Sequence, residues 1–116
     1  MRILLVDDNL ELLNMLKDNL EDLGVNCESC ICSLSALQLL ENDSEFDLVF
    51  TDIRLPGIDG IELSKTIKNM YQVPVILTSG DFQYSNLKNN EDFILKPYDF
   101  EEIYSIFKSI SEKNLG

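Results

Sequence analysis

The feature that most constrains this chain is a series of short, largely apolar runs, most of them followed by a helical stripe of apolar residues. Ile3-Leu4-Leu5-Val6 opens the series, and its lack of polar alternation is what a parallel strand covered on both faces requires. Further runs follow at about Val25 to Ile31, Leu48 to Thr51, Val73 to Leu77 and Phe93-Ile94-Leu95. Between them, Leu12, Leu13, Leu16, Leu20 and Leu23 form a stripe that Gly24 closes as a C-terminal cap. Other stripes are Leu34, Leu37, Leu39 and Leu40; Ile61, Leu63, Ile67 and Met70; and Ile103, Ile106, Phe107 and Ile110. Asp59 with Glu62, and Asp99 with Glu102, have capping-box spacing ahead of the last two. Regular alternation of strand and helix predicts a parallel sheet with helices on both faces, joined by right-handed crossovers.

The chain's 116 residues suffice for one domain with a real core, residues 1–116, and not for two. Its 21 acidic against 9 basic residues give a net charge of -12, a surface that phosphate backbones repel, so direct nucleic-acid binding is not expected. No apolar run approaches the roughly 20 residues of a membrane span and no signal peptide precedes the first strand, so a cytoplasmic protein is expected. Cys27, Cys30 and Cys32 raise the idea of a metal site, but with no histidine a closed zinc site would need a carboxylate or a partner. On a strand, Cys30 and Cys32 face opposite to Cys27. They are expected to be buried small side chains in a reducing compartment.

In doubly wound sheets, ligands bind beyond the carboxyl ends of the strands, where strand order reverses. The first run ends at Asp7 and Asp8, the third at Asp52, the fourth at Thr78 and Ser79, and the fifth at Lys96. Singly, each has a plain explanation. Asp52 suits a loop cap ahead of the Pro56-Gly57 turn, Asp7, Asp8 or Asn9 a helix cap, Ser79 a turn, and Lys96 a solvated charge. Placed together they describe a site. Three converging carboxylates repel unless a cation joins them, and Mg²⁺ prefers such oxygen ligands. Lys96 and the Ser79 hydroxyl suit anionic oxygens, which points to a phosphoryl group. Asp52 is then the nucleophile that forms an aspartyl phosphate.

The acidic pair Asp7-Asp8, the TDIRLPGIDG segment around Asp52, Ser79 after PVIL, and Lys96-Pro97 resemble the receiver domain of bacterial two-component response regulators. The resemblance covers essentially the whole chain. It implies a flavodoxin-like (βα)5 fold with strand order 2-1-3-4-5, and Asp52 as phosphoacceptor, loaded by a sensor histidine kinase, a phosphotransfer protein or a small phosphodonor. It further implies Mg²⁺ held by Asp8 and Asp52, with Asp7 helping through water and the Arg54 backbone carbonyl as another ligand. Lys96 would pair with the phosphoryl oxygens, Ser79 would bond the phosphoryl group and draw its loop inward, and Phe93 would be the aromatic that changes rotamer, its plain alternative being core. Arg54 would modulate phosphoryl loss by shielding the acyl phosphate or reaching its oxygens. A cis Lys96-Pro97 bond is usual in the family.

One departure from the family pattern stands out. The thirteen residues between Ser79 and Phe93, GDFQYSNLKNNED, are several too few for a full helix with its loops, so a shortened or irregular fourth helix is expected. The usual output surface would then be altered: the partner, a downstream output domain or protein, would dock on a different face or through Phe82, Tyr84 and Leu87. The expected function is a phosphorylation-dependent signalling switch, not an enzyme with a diffusible product. The alternatives are an interaction module fixed in one state, and an aspartate-nucleophile phosphatase, against which stand the adjacency of Asp7 and Asp8 and the absence of a cap domain.

Overall fold

The computed structural model describes residues 1–87 and 92–115. The elements run β1 (Arg2–Val6), α1 (Leu10–Asp22), β2 (Asn26–Cys30), α2 (Ser33–Asn42), β3 (Leu48–Asp52), α3 (Gly60–Tyr71), β4 (Val75–Ser79), a 3-10 helix (Phe82–Leu87), β5 (Phe93–Leu95) and α4 (Phe100–Leu115). All strand pairs are parallel and the order is β2-β1-β3-β4-β5, the doubly wound arrangement expected. Among the described residues, no helix is long and apolar enough to cross a membrane.

The strand period of two divides the apolar runs between two cores. Ile3 and Leu5 of β1, Leu48 and Phe50 of β3, Ile76 of β4 and Ile94 of β5 pack with Leu13, Leu16 and Leu20 of α1 and with Ile103 and Phe107 of α4. Leu4, Val6, Val49 and Val75 pack on the opposite face with Ala36 and Leu40 of α2 and Leu63 and Ile67 of α3. This explains the continuous apolar runs: both parities of each central strand are covered.

Local chemistry sets the element ends. Asn9 caps α1, its side chain accepting from the Leu12 N–H at 3.1 Å. At the other end, Gly24 N–H bonds Glu21 and Val25 N–H bonds Leu20, a Schellman motif with Gly24 at φ +86°. Val25 is thereby taken from β2, which starts one residue later than expected and ends at Cys30 instead of Ile31. β4 begins at Val75 instead of Val73, because Pro74 has no N–H for the ladder. It runs on to Ser79 because Thr78 and Ser79 pair with Ile94 and Leu95.

Several apolar residues of the expected stripes face solvent. Leu34 and Met70 are exposed, and the buried positions of their helices are Ser33, Ala36 and Leu40 in α2 and Gly60, Leu63, Ser64 and Ile67 in α3. The expected Asp59 cap forms, accepting from Glu62 N–H at 2.9 Å. Asp99 instead accepts from Glu101 N–H at 2.9 Å, one residue earlier than the capping-box spacing. Of the cysteines, Cys27 is buried on the α1/α4 face and Cys30 packs against the α2/α3 face. Cys30 and Cys32 are only half-buried, contrary to expectation: Cys30 is the last residue of the edge strand β2, and Cys32 has left the strand and occupies the N-cap of α2.

The fourth connection holds a 3-10 helix, Phe82–Leu87, where the family pattern places a full helix. A 3-10 helix rises about 2.0 Å per residue, more than an α-helix, so it covers more of the crossover with fewer residues. Residues 88–91 of the segment lie outside the described residues.

Candidate functional site

The parity that sorts the core also aims the site. Asp7 follows Ile3 and Leu5, Asp52 follows Leu48 and Phe50, and Lys96 follows Ile94, each two positions beyond a residue of the α1/α4 core. Three strands thus deliver three charged side chains to one place past the sheet's carboxyl edge. Lys96 Nζ donates to Asp7 Oδ2 at 3.0 Å and to Asp52 Oδ2 at 3.3 Å. Asp7 and Asp52 are 4% and 8% exposed, so neither charge is left to water alone. The exposed Asp8 completes the cluster: one oxygen from each of Asp7, Asp8 and Asp52 lies within 4.8 Å of the others.

Burial raises the pKa of Asp52, Lys96 offsets part of that rise, and the Asp7 charge adds to it. For Lys96, burial opposes the charged form, but Asp7 and Asp52 outweigh it and its pKa is raised. The lysine therefore stays cationic between two carboxylates, one of which carries its charge reluctantly. An all-oxygen donor set with more negative charge than one lysine can neutralise fits a hard divalent cation.

The backbone around Asp52 is held by a close approach that the sequence reading missed. Gly60, the first residue of α3, donates its N–H to Ile53 at 2.7 Å. A Cβ there would lie 2.1 Å from the Asp52 carbonyl oxygen and 2.8 Å from Ile53 Cα. The visible signal was a glycine directly after the Asp59 cap, where helix propensity alone disfavours it.

Ser79 lies on the opposite parity, at the end of β4, and is buried. Its hydroxyl oxygen accepts from Asp81 N–H at 2.9 Å, which leaves the hydroxyl proton for an acceptor. Phe93 is buried on β5 opposite Leu77, sharing the parity of Ser79 and not that of Lys96. The Lys96-Pro97 bond is cis, as the resemblance implied. The Arg54 guanidinium is paired with the carboxylate of Asp81, on the loop after β4.

Beside Lys96 lies a cleft of about 520 Å³ lined by Leu12, Met15, Gly80, Pro97, Tyr98 and Phe100. The Tyr98 ring meets Phe50 edge-on at 5.7 Å, and its buried hydroxyl has no partner among the described residues.

A family model for the response regulator receiver domain matches residues 3–108. The heme response regulator HssR of Staphylococcus epidermidis is 30% identical over 112 residues, covering 92% of this chain and 50% of that protein. HssR of Staphylococcus aureus is 30% identical over 105 residues, 86% of this chain and 46% of its own length. The chain thus spans about half the length of these relatives. Among solved structures, the signal receiver domain of an HD domain-containing protein from Pseudomonas fluorescens superposes with a TM-score of 0.85 at 29% identity, covering 97% of this chain and 87% of that one. A CheY-like response regulator receiver domain protein from Methanospirillum hungatei gives 0.81 at 29% identity, covering 97% and 94%.

Proposed function

The chain belongs to the response regulator receiver domain family, and from that premise we propose that it is a phosphorylation-dependent switch with Asp52 as phosphoacceptor. The observation that carries this reading is the Lys96 ammonium shared between the buried carboxylates of Asp7 and Asp52. A carboxylate oxygen of Asp52 attacks phosphorus. The new O–P bond forms as the bond to the donor breaks, and the electron pair leaves on the imidazole nitrogen of a phosphohistidine or the oxygen of an acyl phosphate. Asp52 is suited to attack because burial has already stripped much of its hydration. Lys96 then moves from the carboxylates to the phosphoryl oxygens, and the Ser79 hydroxyl proton is available to a third. Asp7, Asp8 and Asp52, with the Arg54 carbonyl, would hold Mg²⁺, which when bound supplies positive charge between the two approaching anions.

The donor in this reading is a sensor histidine kinase or phosphotransfer protein in the cytoplasm, and the recipient of the signal is an output domain or a separate protein. Phosphorylation shifts the population toward a form with different partner affinity, Ser79 and Phe93 sharing the parity through which the change would pass. The domain's own chemistry is limited to taking up and losing its phosphoryl group.

Incubation with acetyl phosphate and MgCl₂, followed by intact-mass measurement of wild type and Asp52→Asn, tests the reading. Phosphoryl mass on the wild type alone is expected. Its absence from the wild type would sink the proposal and favour a fixed-state interaction module, a reading that the reduced fourth connection supports.

A further inference from the structure

Cys30 and Cys32 bracket the turn from β2 into α2, and the chemistry of Asp52 makes no use of either thiol. Cys30 ends the edge strand, Cys32 is the N-cap of α2, and the exposed Ile31 lies between them. N-caps are ordinarily Ser, Thr, Asp or Asn, whose side-chain oxygen meets the first-turn N–H groups. Here a sulfur stands in that place. It faces the Leu34 and Ser35 amides, and the Ser35 hydroxyl is 3.1 Å from it. Such donors at the positive end of a helix stabilise a thiolate more than a thiol. The Ser35 hydroxyl first, then the backbone amides, hold the Cys32 thiol below its ordinary range. Cys27 and Cys30 shift the other way, burial pushing each up to about 11. One thiol of the three is thus set apart as the nucleophile.

Its neighbour is in position to respond. Residues two apart in an extended chain have Cα atoms at most about 7 Å from one another. The chain bends at Ile31 and Cys32, which draws the pair closer, toward the roughly 4.4–6.8 Å that a disulfide spans. The two thiols also lie within electrostatic reach of each other. Among the described residues, no third metal-ligating side chain joins them, so the pair does not make a closed metal site. We propose that Cys32 and Cys30 form a peroxide-responsive thiol pair, Cys32 reacting first and Cys30 resolving the product into a disulfide across the β2–α2 turn.

The oxidant is a hydroperoxide, hydrogen peroxide being the simplest. The Cys32 thiolate attacks one peroxide oxygen, an S–O bond forms as the O–O bond breaks, and the departing hydroxide takes a proton from solvent to become water. Cys32 is then a sulfenic acid. The Cys30 sulfur attacks the Cys32 sulfur, the S–S bond forms as the S–O bond breaks, and the leaving hydroxide departs as a second water with the proton that Cys30 gives up. The two thiols together lose two electrons, and the peroxide gains them. Cys27 takes no part: it is buried on the α1/α4 face, while Cys30 packs toward the α2/α3 face.

The full chain, reduced and then freed of reductant, is treated with a small excess of hydrogen peroxide, and its intact mass is measured. The wild type is expected to lose the mass of two hydrogen atoms and to regain it with dithiothreitol. Cleavage after Glu28 and Glu41 separates Cys27 from the other two thiols, and the bond should lie within residues 29–41. Cys32→Ser, which keeps a good N-cap, should leave the mass unchanged. Cys30→Ser should stop at the sulfenic acid, gaining one oxygen that dimedone captures on Cys32. Without oxidant, iodoacetamide at pH 7 should alkylate Cys32 at least about tenfold faster than Cys27 or Cys30. An unchanged wild-type mass, a bond that includes Cys27 or joins two chains, or equal oxidation of Cys32→Ser and wild type overturns the proposal. None of these outcomes bears on phosphorylation of Asp52, which uses neither thiol.

Discussion

Lys96 Nζ sits closer to Asp7 than to Asp52, 3.0 Å against 3.3 Å. The same ammonium compensates two buried carboxylates from different strands, so the sheet edge depends on it electrostatically as well as chemically. Lys96→Ala is expected to destabilise the metal-free protein by about 2 kcal/mol, below the roughly 3–5 kcal/mol of a fully buried broken pair because the lysine is partly solvated. Urea unfolding with and without MgCl₂ checks this. A divalent cation should restore part of the loss.

Asp52→Asn should act in the opposite direction. The folded-state pKa of Asp52 is raised by burial, so the stability this group contributes is complete below its unfolded value and is lost as pH rises through the folded one. At neutral pH the ionised side chain therefore opposes folding, and Asp52→Asn should melt higher than wild type without metal. Thermal melts from pH 7 downward should show the gap closing through the carboxylate range. A gap that widens on acidification would contradict the burial argument.

Asp8 separates metal binding from folding. It is exposed and lies outside the Lys96 pair, yet its oxygen completes the carboxylate cluster. MgCl₂ at ten times its dissociation constant should stabilise the wild type by about 1.4 kcal/mol through binding to the folded state alone. Asp8→Asn should leave the metal-free melting temperature almost unchanged and abolish most of that increment. Differential scanning calorimetry across a MgCl₂ series reads both quantities.

Gly60→Ala tests the close approach of α3 to the Asp52 backbone. The added methyl would overlap main-chain atoms and not a movable side chain, so the start of α3 must shift. A loss of about 2–3 kcal/mol is expected, against the small gain that alanine brings to an ordinary helix position. Chemical denaturation supplies the value, and a neutral or stabilising result would show that the contact relaxes easily.

Local patterns of the sequence carried the fold and the acidic core of the site. Apolar runs marked strands covered on both faces, and the polar residues ending four of the five runs marked one edge of the sheet, so Asp7, Asp8, Asp52 and Lys96 could be grouped from the sequence alone. What escaped depended on distances between segments. Gly60 drew no reading of its own because nothing in its neighbours reveals the Asp52 carbonyl beside its Cα. Asp81 drew no reading of its own, since its pairing with Arg54 joins two loops 27 positions apart. Leu34 and Met70 fitted helical stripes yet face water, because periodicity gives the width of an apolar face and not its edges.

The shared parity of Asp7, Asp52 and Lys96 bears on how such a chain can change over evolutionary time. Inserting or deleting one residue within β1, β3 or β5 would turn the charged side chain to the other face and expel the core residues of that strand in the same stroke. Packing thereby acts as a guardian of chemistry: a lineage cannot misaim the site by a strand slip without also losing the folded domain. The loops and crossovers carry no such safeguard. Length variation is channelled there, and the abbreviated connection between β4 and β5 lies where this chain was at liberty to shrink.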